Sequence, residues 1–143
     1  AAAEEVGVRW LRLDGDRLVA ADGFAADADD PAPARRVADL ALALQPSCRE
    51  LSRARGGRTA YRLGLAVGPA FGVELAPLPA RVVLWGHAFR LAARMAETAP
   101  ASAIQLTEAA YGRLGVDYLL RRRGSYFIDG VGETSTYLLA GRL

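Results

Sequence analysis

YRLGLAVGPAFG, residues 61–72, decides how the rest of the chain is read. Its first part belongs to Thr59–Val67 (TAYRLGLAV), a period-two run that predicts a strand. Gly68-Pro69 turns the chain, and Ala70 to Leu75 predicts a short return strand. Downstream, Pro77 and Pro79 mark a loop before a strand at Arg81 to Trp85. Gly86 then opens a helix over His87 to Thr98, which Pro100 stops two residues beyond. Ser102 to Leu106 predicts another short strand, and Thr107 is placed to cap a helix running through Leu114. Tyr118–Leu120, Tyr126–Ile128 and Thr136–Leu139 are strand-like, the last two joined by a Gly130-Val131-Gly132 turn.

Upstream, Val6 to Leu13 and Arg17 to Ala21 predict a hairpin around Asp14-Gly15-Asp16. An acidic, proline-bearing loop leads from Ala25 into a helix at Ala34 to Arg55. There Val37, Leu40, Ala41, Leu44, Cys48 and Leu51 form one apolar stripe. Pro46 lies within the stripe and predicts a kink or break. Hairpins alternate with helices, so an α+β sandwich is favoured over a doubly wound sheet. The expected sheet is rich in antiparallel pairs, with its helices on one face.

The 143 residues fit one domain. With 52% hydrophobic and 24% charged residues, the chain is of ordinary globular type. A net charge of +2 is too small to imply nucleic acid or an anionic membrane. All 18 basic residues are Arg, and Asn is absent, so no chemistry needing a Lys amine or an Asn amide can run here. A single cysteine, Cys48, excludes an intrachain disulfide and a cysteine-based zinc site. No apolar run is long enough to span a bilayer and Ala1 to Glu5 carries no signal-peptide charge pattern, so the expected compartment is the cytoplasm.

Taken in order, YRLGLAVGPAFG, VVLWGHAFRLAARMAETAPASAIQLTEAAYGRL (82–114), FIDGVGETSTYLL (127–139) and RLDGDRLVAADG (12–23) resemble the catalytic domain of class III adenylate and guanylate cyclases. The resemblance implies a ferredoxin-like α+β sandwich of the nucleotide cyclase type, one cyclase-homology domain over residues 1–143. In that family a strand and helix with the first metal-binding Asp come earlier than Ala1, and Ala1 to Gly7 cannot supply them. Two carboxylates hold divalent ions that activate the ribose 3′-hydroxyl. Cations stabilise charge developing on phosphorus. Polar groups read the purine, and two protomers build the site between them.

Carried over by position, Asp16 matches the second metal Asp, although turns favour Asp without any metal. Arg94 matches the phosphate-stabilising Arg, or else pairs with Glu97 at i+3. Arg12 stands where a purine-reading Lys is usual, keeping the charge but changing its geometry. Three departures follow. Val83 replaces the purine-reading Asp, Arg90 replaces the transition-state Asn one helical turn before Arg94, and Val131 replaces the triphosphate Lys. A helix with Phe89, Ala92, Ala93 and Ala96 on its packed side should leave Arg90 and Arg94 exposed, because a buried unpaired guanidinium is costly.

Loss of one such group commonly costs orders of magnitude in rate. The expectation is a degenerate cyclase domain in cyclic-nucleotide signalling, a regulatory or dimerisation module in a homodimer or heterodimer with a cyclase-type protomer. ATP or GTP is the implied nucleotide, with Mg²⁺ or Mn²⁺ only if nucleotide binds. The alternative is an active enzyme converting ATP to cAMP once an N-terminal part or a partner protomer completes it. RNA binding is a weaker rival: RGSYFIDG (123–130) half matches an RNA-recognition motif, but Ser125 and Gly130 fall where stacking aromatics belong. The lone His87, at a helix entry, reads as structural or exposed.

Overall fold

A computed structural model describes residues 5–8, 10–24, 26–27, 29–57, 60–77 and 80–143. The predicted strand start at Thr59, and Arg9 and Pro79, lie outside these. Among these residues the strands and main helices follow in the order β1 (Trp10–Asp14), β2 (Arg17–Ala21), α1 (Ala32–Ala54), β3 (Leu63–Leu65), β4 (Phe71–Pro77), β5 (Ala80–Trp85), α2 (His87–Thr98), β6 (Ile104–Thr107), α3 (Glu108–Leu114), β7 (Tyr118–Ile128) and β8 (Gly132–Arg142). A 3₁₀ turn at Gly115–Asp117 precedes β7.

The central sheet has strand order β3-β6-β8-β7, with β3 parallel to β6 and the remaining pairs antiparallel. This is the antiparallel-rich α+β arrangement expected. β1–β2 and β4–β5 close as separate two-stranded ladders. Their registers place Asp14 opposite Arg17, and Phe71 and Val73 opposite Trp85 and Val83.

The helices, however, cover both faces of the sheet, not one. Leu65, Ile104 and Leu106 point to one side, into a core with Ala38 of α1 and Ala110 and Leu114 of α3. The intervening residues point to the other side, where α2 lies. A Cβ on Gly64 would stand 2.0 Å from the Ala92 carbonyl oxygen and 2.4 Å from the Ala96 nitrogen. Gln105, fully buried, donates from Nε2 to the Met95 carbonyl at 2.9 Å and to Thr98 Oγ1 at 2.8 Å. A glycine and a glutamine look like outward positions in sequence. Here they seat a helix.

Three further expectations change. α1 runs through Pro46 without a break, and Pro46 is exposed. β1 starts at Trp10, while Val6 has helical backbone. The two short strands near Tyr118 and Tyr126 are one strand of 11 residues, β7, with irregularities at Leu119/Leu120 and Arg122/Gly124. The arginine run 121–123 hides this continuity, since it interrupts the apolar alternation while the ladder with β8 continues. Thr107 caps α3 as expected, its hydroxyl accepting from the Ala110 N–H.

Candidate functional site

α2 carries Arg90 and Arg94, and the elements beside it carry the other residues singled out in the sequence. Its entry depends on Gly86, whose φ of 126° and a would-be Cβ only 2.8 Å from the Pro69 carbonyl leave no room for a side chain. That same carbonyl accepts from the Ala88 N–H at 3.0 Å, so the Gly68-Pro69 turn is docked onto the start of α2. Arg90 and Arg94 follow one turn apart, both exposed as expected.

Arg90 borders an open cleft of about 500 Å³ lined by Leu84, Trp85, Gly86, Phe89 and Ala93. Beside it, β4 and β5 present Phe71, Val73, Val83 and Trp85 on one face, all exposed, with the Phe71 and Trp85 rings stacked at 5.6 Å. Val83 therefore belongs to an apolar surface and offers no acceptor to a base. Arg12 reaches across from β1 and donates from Nη1 to the carbonyl oxygen of Leu84, next in sequence to Val83. The two positions matched to purine reading are thus brought together, with Arg12 holding backbone.

The second group lies one helical turn on. Arg94 Nη1 pairs with Glu97 Oε2 at 2.9 Å, the i+3 contact anticipated from sequence. Its Nη2 lies where a Cβ on Gly130 would be 3.9 Å away, so the β7–β8 turn that carries Val131 comes near the same guanidinium. Glu97 Oε1 also meets Arg17 Nη2 at 3.5 Å, and Arg17 follows Asp16 out of the β1–β2 turn. Asp16 is exposed on that turn, and Val131 is exposed on the other.

Sequence reasoning missed two features. Arg17 as a second partner of Glu97 had no local signal, because it comes from another element. The other is the network under α2: Arg123 Nη1 donates to Gln105 Oε1 at 2.5 Å and to the Thr98 carbonyl at 2.9 Å, while its guanidinium lies 4.5 Å from the Tyr126 ring centre. The basic run 121–123 thus contributes one partly buried residue, Arg123, to the underside of α2. A polar residue between Ile104 and Leu106 was the available clue.

A divalent cation asks for several oxygen ligands. Among the described residues no group of three or more His, Cys, Asp or Glu side chains is placed to hold one. Asp16 is followed by a cation, Arg17, which is itself turned to Glu97. The described donors do not make up a metal site.

Residues 3–141 match the family described as the adenylate and guanylate cyclase catalytic domain. The chain belongs to that family. Proteins named adenylate cyclase from Mycobacterium tuberculosis (strain ATCC 25618 / H37Rv) and Mycobacterium bovis are each 30% identical over 139 residues. The alignment covers 97% of this cyclase-family chain and 31% of each relative, so the chain spans about a third of their length. Among solved structures, the guanylate cyclase domain of RhGC from Catenaria anguillulae, in complex with GTP, superposes with a TM-score of 0.81 at 24% identity, covering 99% of this chain and 77% of that one. The adenylyl cyclase CyaB from P. aeruginosa gives 0.78 at 17% identity, covering 99% and 76%. The fold is that of the nucleotide cyclase catalytic domain. No helix among the described residues is long and apolar enough to cross a membrane.

Proposed function

We propose that the chain is a single cyclase-type domain that makes no appreciable cyclic nucleotide by itself and acts as a regulatory or dimerising partner in cyclic-nucleotide signalling. The observation that carries this reading is the donor set around α2. Asp16 belongs to no three-member acidic group among the described residues. Val83 lies on an apolar face and Val131 on a turn, so neither supplies a directional contact to base or triphosphate. What remains is cationic, with Arg90 beside the cleft and Arg94 between two turns. Such a surface attracts ATP or GTP without fixing a productive pose, and any Mg²⁺ or Mn²⁺ would come bound to the nucleotide's own phosphates.

The exposed face formed by Phe71, Val73, Val83 and Trp85 supports the dimerising role, because aromatic and branched side chains grouped on a surface mark interaction sites. A guanylyl cyclase domain from Blastocladiella emersonii is described both as a dimer and as a monomer, so pairing is a property to be measured. A second reading, an active ATP cyclase once a partner protomer or further chain completes the site, is favoured by the relatives that bear the name adenylate cyclase.

The purified chain, assayed with ATP and GTP in Mg²⁺ and Mn²⁺, should form product at background level, unchanged by Asp16→Ala. Turnover that disappears in Asp16→Ala would overturn the proposal. Adding a cyclase protomer that carries both metal carboxylates separates the two readings. Product above the sum of the separate proteins, lost with Arg94→Ala in this chain, would favour the second.

A further inference from the structure

The contact between α2 and the two turns is anionic at its centre. Glu97 extends one carboxylate oxygen to Arg94 at 2.9 Å and the other to Arg17 at 3.5 Å. Arg94 in turn lies against Gly130. A single carboxylate thus bridges cations from α2 and the β1–β2 hairpin, at the spot where the β7–β8 turn also arrives. All three charged side chains are roughly half exposed, so the cluster faces solvent instead of serving the core.

We propose that Glu97 is a built-in competing anion: it occupies the Arg17–Arg94 pair in the resting chain, and a polyphosphate must displace it to bind. This rests on the cyclase-type reading of Arg94 but extends it to two residues that reading does not assign, Arg17 and Glu97. Electrostatics gives the direction. With Glu97 in place the three side chains sum to +1, and without its charge they sum to +2, with two guanidinium groups close enough to share one ligand. An exposed pair of this kind is weak, so the block is one that a multiply charged ligand can overcome. The arrangement therefore sets affinity and does not abolish it. It also couples ligand arrival to the hairpin, because the ligand takes over from one carboxylate the contacts to both Arg94 and Arg17.

Inorganic triphosphate is the probe, since it carries the charge without a purine. Titration calorimetry at low ionic strength compares the full chain with Glu97→Gln, Glu108→Gln and Glu97→Gln/Arg94→Ala. Glu108, exposed at the start of α3 on the opposite side of the sheet, makes the same change in net charge. Glu97→Gln should bind about three- to fivefold more tightly than the unaltered chain, as expected for releasing one or two exposed pairs. Glu108→Gln should leave affinity unchanged, and the double variant should lose the gain. Equal gains in Glu97→Gln and Glu108→Gln would overturn the proposal, as would a gain that survives Arg94→Ala. Absence of binding in every variant would overturn it too, while leaving the dimerising role intact. Cyclic nucleotide formation by the chain alone would overturn that role and leave the Glu97 result standing.

Discussion

The two faces of the central sheet are covered by helices in opposite ways. Toward α1 and α3 the contact is apolar: Leu65, Ile104, Leu106 and Leu139 meet Ala38, Ala110 and Leu114, all buried. Toward α2 it is close and polar, with the helix backbone against Gly64 and with Gln105 bonded to Met95, Thr98 and Arg123. Apolar contact tolerates repacking, because shape and volume can be exchanged among neighbours. A backbone lying on a glycine and held by a saturated polar group has little such freedom. The helix that carries Arg90 and Arg94 is on the side where position is most tightly specified.

The sharpest way to break this comparison is Gly64→Val. Its side chain would begin inside the α2 backbone, so α2 must lift away from the sheet. Destabilisation should reach about 4 kcal/mol or prevent folding, above the usual overpacking range because backbone cannot rotate aside. Chemical denaturation measures it, and a loss under 1 kcal/mol would show that α2 adjusts freely. A second test belongs to the opposite face. Burial, and then the bond to Asp39 at 2.7 Å, push the Tyr118 hydroxyl up to about 12. The unfolded chain, with an ordinary tyrosine near 10, loses this proton first, so stability should fall as pH rises from about 10 to 12. The loss should be about 2 kcal/mol, and it should be smaller in Tyr118→Phe. An unaltered slope in that variant would detach Tyr118 from the α1 anchorage. The smallest effect is expected for Gln105→Leu, about 1–2 kcal/mol from removing its bonds to the Met95 carbonyl, Thr98 and Arg123. Hydrogen exchange should accelerate in α2 while α1 keeps its protection. A neutral or stabilising result would mean that the polar face is ordinary filler.

The apolar face was legible because burial on one side of a strand writes period-two alternation into it. Leu63, Leu65 and Val67 announce β3, and the Thr107 cap announces α3. The polar face was not. Gly64 is informative only through what would collide with a Cβ, which requires knowing that α2 crosses there. Gln105 imitates an outward residue until Met95 and Arg123 are in place. The same holds in the candidate site. The exposure of Arg90 and Arg94 and the Arg94–Glu97 pair follow from helical spacing. Arg17, and the bond from Arg12 to the Leu84 carbonyl, join segments distant in sequence and carry no local mark.

Both tryptophans belong to the hairpins, Trp10 on β1 and Trp85 on β5, and neither belongs to the four-stranded sheet. Trp10 is sheltered, its ring 4.7 Å from Phe24, whereas Trp85 is 47% exposed and stacked on Phe71. Indole emission therefore carries two spectrally separable signals, a bluer one from the β1–β2 hairpin and a redder, quencher-accessible one from β4–β5. The central sheet contributes only tyrosine light, so an optical melt followed at tryptophan wavelengths watches the hairpins, and circular dichroism is needed to watch the sheet.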